Sequence, residues 1–282
     1  MTDTQLQQEI RTALEVVDPA TFDAAAEAER RIGFLTAYLE STGTKGFVLG
    51  ISGGVDSTVA GRLAQVACER VRAQGGHARF TALRLPYHVQ KDEHDALAAL
   101  AFIRADEELT VDIGPGVDAQ WEALLASGAD LRGERGDYHR GNVKARHRMV
   151  AQYAVAGGTG RLVLGTDQAA EACVGFYTKY GDGAADLVPL FGLPKRRVRE
   201  IARHLDCPEH LVEKVPTADL ESDKPLLADE VALGVSYDAV DDYLEGKEVS
   251  AEDEATIVGW YRRTAHKRAL PVTPDGFLRD RG

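Results

Sequence analysis

Apolar positions in the first 165 residues fall into short continuous runs separated by stretches of helical spacing. In Thr21 to Ser41, Ile32, Leu35, Tyr38 and Leu39 recur every three or four residues and Gly43 follows as a stop signal, which predicts an amphipathic helix. The apolar run Gly46 to Leu49 predicts a buried strand, and Thr58 to Val71 a helix after a glycine-rich turn. Arg79 to Leu85, ended by Pro86, predicts a second strand, and Asp92 to Ile103 a helix. Leu109 to Ile113 predicts a short third strand and Asp118 to Ala126 another helix. Ser127 to Gly141 is charged, polar and glycine-rich, and predicts a mobile surface loop. Val143 to Ala156 predicts a strong helix and Arg161 to Gly165 a fourth strand; Leu193 to Leu205 and the chain from Glu230 onward are expected to be largely helical. Strands alternating with helices imply βαβ units, hence an α/β fold with a doubly wound parallel sheet and helices on both faces. No repeat or linker interrupts the pattern, so residues 1–282 are expected to form one domain with N-terminal and C-terminal helical extensions.

Composition narrows the setting. A chain of 282 residues can bury a substantial core. No apolar run approaches the ~20 residues that span a bilayer, and Met1 to Ile10 is polar, without a signal-peptide core. Cys68, Cys173 and Cys207 are odd in number and widely spaced, which suits reduced thiols and a cytoplasmic protein rather than a disulfide framework or a zinc site. A formal net charge of −12 argues against broad nucleic-acid binding. Basic residues cluster locally, at His139 to Arg148 and Arg262 to Arg268, and such clusters in an acidic chain suit a small anionic ligand.

The chemistry concentrates in Gly50-Ile51-Ser52-Gly53-Gly54-Val55-Asp56-Ser57, between the first strand and its helix. A strand, a glycine turn and a helix N-terminus direct backbone N–H groups at an anion, and the helix dipole favours negative charge there. Gly53 and Gly54 let backbone approach a phosphate, and Ser52 and Ser57 add hydroxyl donors. Asp56 would repel phosphates unless a cation lies between, so it points to Mg²⁺. The loop lacks the Gly-Lys-Ser/Thr ending of a Walker A motif, and Ser-Gly-Gly-x-Asp-Ser resembles the pyrophosphate loop of ATP pyrophosphatases.

Ligands of open parallel sheets bind outside the carboxyl ends of the strands. The fourth strand should deliver Gly165 to Glu171 to the edge that carries the glycine loop, so Glu171 and Asp56 are candidates to share one Mg²⁺. Phe176 to Asp186 is a turn-rich stretch with aromatics, a lysine and two aspartates, suited to reading a polar ligand. Pro194-Lys195 opens a helix, where a lysine opposes the dipole unless an anion lies near.

Taken together, the chain resembles the bacterial ammonia-dependent NAD synthetases over almost its whole length. The resemblance rests on Gly50 to Ser57; Arg84-Leu85-Pro86-Tyr87 with Gln90; Gly141 to Arg146; Gly165 to Glu171; Phe176 to Asp186; Pro216 to Leu220; Tyr237 to Gly246; and His266-Lys267-Arg268. It implies a Rossmann-like fold of the adenine nucleotide alpha hydrolase type. It implies the last step of NAD biosynthesis: the pyridine carboxylate of deamido-NAD⁺ attacks the α-phosphorus of ATP, and ammonia displaces AMP from the adenylate. It further implies that Gly50 to Ser57, Arg84, Gln90, Thr166, Lys195 and Thr217 contact ATP, and that Asp56 and Glu171 hold Mg²⁺. Arg146, Lys179, Asp186, His266 and Lys267 would contact deamido-NAD⁺, in a homodimer whose dinucleotide sites lie at the interface. Asp56, Glu171 and Lys195 are the expected catalytic residues.

Three positions depart from the family pattern: Val55 where glutamine is common, His88 where glycine is frequent, and Gln168 where histidine is frequent. Glutamine-using relatives carry a separate amidase domain with a catalytic cysteine. About 45 residues precede the first strand here, too few for such a domain, so free ammonia is the expected donor. The rival readings are another ATP pyrophosphatase, of the GMP synthetase or tRNA-modifying kind, and a non-catalytic nucleotide sensor. Ser127 to Gly141 and the stretch after Thr217, up to about Asp229, are expected to order over substrate.

Overall fold

The computed structural model describes residues 3–88, 93–133, 135–216 and 228–274. In chain order, α1 (Asp3–Ala13) and α2 (Ala24–Thr42) precede β1 (Gly46–Gly50), α3 (Val55–Ala73) and β2 (Arg79–Arg84). There follow α4 (Glu93–Ile103), β3 (Glu107–Thr110), α5 (Gly114–Ala126), α6 (Gly136–Thr159) and β4 (Leu162–Val163). The remaining elements are α7 (Ala169–Val174), α8 (Lys195–His204), α9 (Glu209–Val212), α10 (Asp229–Leu233), α11 (Tyr237–Leu244), α12 (Ala251–Arg263) and α13 (Ala265–Arg268).

The four strands form a parallel sheet in the order β3-β2-β1-β4. In register, Val48 faces Thr81 on one side and Val163 on the other. A parallel bridge between Leu164 and Leu187 carries pairing one step beyond β4. The chain winds outward from β1 through β2 to β3 and then returns to the far side of β1. The gap between the ends of β1 and β4 is therefore a topological switch point, where open α/β sheets form ligand crevices.

Alternation along the strands divides the core. Phe47, Leu49, Phe80 and Ala82 face a cluster built with α2, α3 and α8, whereas Val48, Leu83 and Val163 face Val117 of α5 and Ala156 of α6. Both faces of the inner strands are covered, which explains why β1 reads as a continuous apolar run, whereas β3 at the sheet edge, Glu107–Thr110, is largely exposed. A third cluster joins Ile10 and Leu14 of α1 to Val174 of α7, Val240 and Leu244 of α11 and Ile257 of α12. The Gln7 amide pins α1 there, donating to the carbonyls of Tyr243 at 2.9 Å and Lys247 at 3.0 Å.

The expected elements are present with shifted bounds. β3 starts at Glu107 rather than Leu109, because the Glu107 carboxylate takes the Thr81 hydroxyl (3.0 Å) and the Arg161 guanidinium (3.0 Å) at the sheet edge. The N–H groups of Val111 and Ile113 still pair with Arg84 and Pro86, both at 2.9 Å. α6 starts at Gly136, so the last six residues of the expected loop, 136–141, are helical. Tyr138 on that turn borders two cavities rather than the core, so no apolar periodicity marks it. α7 escaped the pattern because it has only 6 residues, five of them buried small or apolar side chains.

Candidate active site

The loop after β1 is held open by glycine. Gly53 has φ +83°, and a Cβ there would lie 2.7 Å from the backbone nitrogen of Ala96 in α4. Any side chain would therefore be strained and would collide with backbone. The Ser57 and Thr58 hydroxyls donate to the Gly54 carbonyl at 3.1 and 2.8 Å, and the Ser52 N–H donates to the Ser57 hydroxyl at 3.3 Å. From α6, the Gln152 side-chain oxygen accepts the Gly50 N–H at 2.8 Å, which ties the loop to the opposite face of the sheet. Val55 packs into the α2–α3 core while bordering the cleft.

Asp56, Glu171 and Lys195, delivered by α3, α7 and α8, meet at the switch point. The Lys195 ammonium donates to Asp56 Oδ2 and lies 3.7 Å from Glu171 Oε1. Burial alone would lower the Lys195 pKa, but the neighbouring Asp56 and Glu171 outweigh it and raise it, so the ammonium stays charged. Burial and then the Asp56 charge push Glu171 well above the usual carboxylate range, and Lys195 offsets them only in part. Asp56 Oδ1 is buried with no hydrogen-bond partner. Two carboxyl groups share one ammonium and one buried Asp56 oxygen is left without a partner, an arrangement that suits a cation. Among the described residues no group of three or more metal-ligating side chains forms. A pair of carboxylates is nevertheless enough for Mg²⁺, which completes its shell with substrate phosphates and water.

A cleft of about 570 Å³ opens over this cluster, lined by the glycine loop, Thr166, Glu171 and Lys195, with Arg148 and Lys214 on its walls. A second cavity of about 420 Å³ adjoins it, sharing Tyr138, Asn142, Thr178 and Lys267. Arg146, Lys179, His266 and Lys267, four of the five residues expected to hold the dinucleotide, line this second cavity. The fifth, Asp186, lines neither; its Oδ2 accepts the Val163 N–H at 2.7 Å and completes the edge of β4. Arg84 also lines neither, its guanidinium being held by Glu93 at 2.8 Å. Gln90 and Thr217 lie outside the described residues, as does most of the stretch after Thr217.

The basic C-terminal motif proves to be structural as well as cavity-lining. The Lys267 ammonium donates to the carbonyls of Gly175 (2.7 Å) and Tyr177 (2.6 Å), and Arg268 donates to those of Ala172 (2.9 Å) and Cys173 (3.4 Å). Arg268 thus takes two carbonyls of the last turn of α7 and Lys267 two carbonyls just beyond it, at the end where the dipole favours positive charge. At the other end of α7, Gln168 is fully buried and its side-chain oxygen accepts the N–H groups of Ala170 (2.6 Å) and Glu171 (3.4 Å). The glutamine that departs from the family pattern is therefore the cap that seats Glu171. Burial, Asp182 and Asp56 push the neighbouring Asp167 up to about 8, with Lys267 pulling the other way.

Sequence reasoning missed the roles of Gln152, Gln168, Asp229, Tyr237 and Asp241. One signal was legible for the last: in α11, Tyr237, Val240, Asp241 and Leu244 share a helical stripe, and an acid on an apolar stripe is out of place unless it is paired.

A doubly wound parallel sheet with this switch-point cleft defines an α/β protein of the adenine nucleotide alpha hydrolase type. The chain belongs to the NAD synthase family, whose profile matches residues 27–271. It is 59% identical over 270 residues to the NH(3)-dependent NAD(+) synthetase of Streptomyces coelicolor, covering 95% of this chain and 97% of that protein. It is 60% identical over 256 residues to the enzyme of the same name from Deinococcus radiodurans, covering 90% of this chain and 88% of that one. The crystal structure of NAD⁺ synthetase from Burkholderia pseudomallei superposes with a TM-score of 0.82 at 52% identity, over 96% of this chain and 98% of that chain. An NMN synthetase from Francisella tularensis superposes with a TM-score of 0.77 at 37% identity, over 90% of this chain and 99% of that one.

Proposed function

We propose that this chain is the ligase that amidates deamido-NAD⁺ to NAD⁺ with ammonia and ATP, releasing AMP and pyrophosphate. The carrying observation is the joining of two cavities. One is floored by the glycine loop and Lys195, and the other is lined by Arg146, Lys179, His266 and Lys267. An ATP triphosphate suits the first, and the phosphates of a dinucleotide suit the basic wall of the second.

The chemistry follows from the arrangement. A carboxylate is a poor electrophile, so its oxygen first attacks the α-phosphorus and the bond to pyrophosphate breaks. The N–H groups of the glycine loop and the Lys195 ammonium stabilise the charge that moves onto the departing phosphates. Ammonia then attacks the acyl carbon, AMP leaves, and the added nitrogen gives up a proton. Asp56 and Glu171 would hold Mg²⁺, whose charge neutralises the phosphates beside these carboxylates. Positioning across the joined cavities does most of the remaining work.

The proposal includes a single catalytic domain over residues 1–282, a cytoplasmic setting and a homodimer with the dinucleotide site at its interface, all supported by the family resemblance. Among the described residues no helix is long and apolar enough to cross a membrane. Light scattering should give about twice the 30.5 kDa chain mass, and a species of chain mass would overturn the dimer.

Product analysis with exchanged acceptors tests the function. With ammonium, Mg²⁺ and ATP, deamido-NAD⁺ should yield NAD⁺, AMP and pyrophosphate in equal amounts, and nicotinic acid mononucleotide should be the poorer acceptor. Preference for the mononucleotide would move the chain toward the NMN synthetase activity named for the Francisella protein. Release of ADP would contradict adenylation altogether.

A further inference from the structure

We propose that α11 is the positioning element of the active site, with Asp241 and Tyr237 together fixing where Lys195 stands between Asp56 and Glu171. The inference deepens the proposed function and rests on it for the role of Lys195.

The argument begins with an electrostatic conflict. α8 opens with Lys195-Arg196-Arg197, three cations at the end of a helix where the dipole favours anions, and its N-cap is Pro194, which offers no side-chain acceptor. The cap comes instead from another helix. The Asp241 carboxylate, 1% exposed, accepts the Lys195 N–H at 2.9 Å with one oxygen and the Arg196 N–H at 2.7 Å with the other. Burial pushes the Asp241 carboxyl up to about 6, against the pull of those two N–H groups.

One turn earlier on the same face of α11, the Tyr237 ring lies 5.3 Å from the Lys195 ammonium, within cation–π range. Tyr237 is itself fixed: its hydroxyl donates to Asp229 Oδ2 at 3.2 Å, and its backbone N–H donates to Glu230 Oε1 at 2.7 Å. A single helix face therefore grips Lys195 at both ends, by its backbone and by its charged tip. A lysine stem is long and flexible, and a buried ammonium that serves two carboxylates needs this restraint to meet phosphate oxygens reproducibly. The remaining ion pairs between α8 and α11 or its C-cap, such as Arg197 with the C-cap Glu245 at 2.7 Å, dock the two helices without touching Lys195.

Three variants separate positioning from docking. Asp241→Asn and Tyr237→Leu should each lower kcat for pyrophosphate release about tenfold or more, with the ATP KM changed far less. Tyr237→Phe, which keeps the ring, should recover most of the Tyr237→Leu loss. Arg197→Ala should lower the melting temperature yet keep the wild-type kcat. A second readout needs no substrate: the rate at which Lys195 is acetylated by acetic anhydride, followed by mass spectrometry, should rise several-fold in Asp241→Asn and Tyr237→Leu and stay at the wild-type value in Arg197→Ala. Wild-type kcat and wild-type acetylation in Tyr237→Leu and Asp241→Asn would overturn the proposal, as would an equal kcat loss in Arg197→Ala. If the wild-type protein releases no pyrophosphate, the proposed function fails, and the acetylation rates alone still decide the positioning role.

Discussion

Asp56 divides its two oxygens between unlike fates: one receives the Lys195 ammonium and the other is buried without a partner. Glu171, 3.7 Å from the same ammonium, is pushed toward neutrality by burial and by Asp56. At the scale of single residues, the proposed dication would satisfy the unpartnered Asp56 oxygen and favour the charged form of Glu171. Asp56→Asn and Glu171→Gln, which keep the size and hydrogen-bonding shape of each side chain, should retain near-wild-type circular dichroism, with Asp56→Asn melting lower because the Lys195 ammonium loses a charged partner. Pyrophosphate release should fall about a hundredfold or more in both. Wild-type turnover in both variants at saturating Mg²⁺ would contradict the metal assignment. The meeting of Asp56 with Glu171 was legible because both follow strands that end on one sheet edge. Asp186 and Arg84 show the limit, since each carries a charge suited to a ligand but spends it on a neighbour, Val163 N–H and Glu93, that spacing alone cannot reveal.

At the scale of elements, the end of β2 is locked to α5 and α6 by one carboxylate. Asp118 accepts the Tyr87 hydroxyl at 2.6 Å, Arg140 at 2.6 Å and the His88 ring at 2.8 Å. This network explains how His88 is tolerated at φ +55°, in the left-handed region where glycine is at ease: its N–H is held by Asp112 at 3.0 Å and its ring by Asp118. The Tyr87 hydrogen bond, with His88 and Arg140, holds the Asp118 carboxyl at about 2, below its ordinary 3.8. A depressed carboxylate contributes stability that is complete above its unfolded pKa and is lost as pH falls through the folded one. Asp118→Asn should therefore lower the melting temperature at pH 7 by about 2–3 °C, roughly 1 kcal/mol after allowance for partial exposure. The gap should narrow as the pH falls from 4 toward 2. A gap of equal size at pH 7 and pH 3 would show that the charge is not the cause. Elements with strong periodicity, β1, β2, α2 and α3, were legible in the sequence, and α7 and the first turn of α6 were not. A buried helix of 6 residues has no polar face to set a period, and the start of α6 faces cavities instead of core. The cap of α8 was hidden for another reason, because its acceptor lies 46 residues further along the chain.

The whole molecule converts sheet topology into chemistry. Reversal of winding beside β1 opens the crevice, the ends of β1 and β4 set Asp56 and Glu171 on either side of it, and α11 reaches across to hold Lys195 between them. Glu171 of α7, Ala232 of α10 and Trp260 of α12 line the crevice, and the cationic end of α13 holds the C-terminal end of α7. The central claim is that this crevice joins a pyridine carboxylate to the α-phosphorus of ATP before ammonia arrives. It is tested most directly with deamido-NAD⁺ labelled with ¹⁸O in that carboxylate, turned over with ATP, Mg²⁺ and ammonium, and the AMP examined by mass spectrometry. Adenylation requires one carboxylate oxygen to leave on the AMP phosphate, so with both carboxylate oxygens labelled each substrate molecule converted should give one ¹⁸O in AMP. NAD⁺ formed with unlabelled AMP would contradict the account.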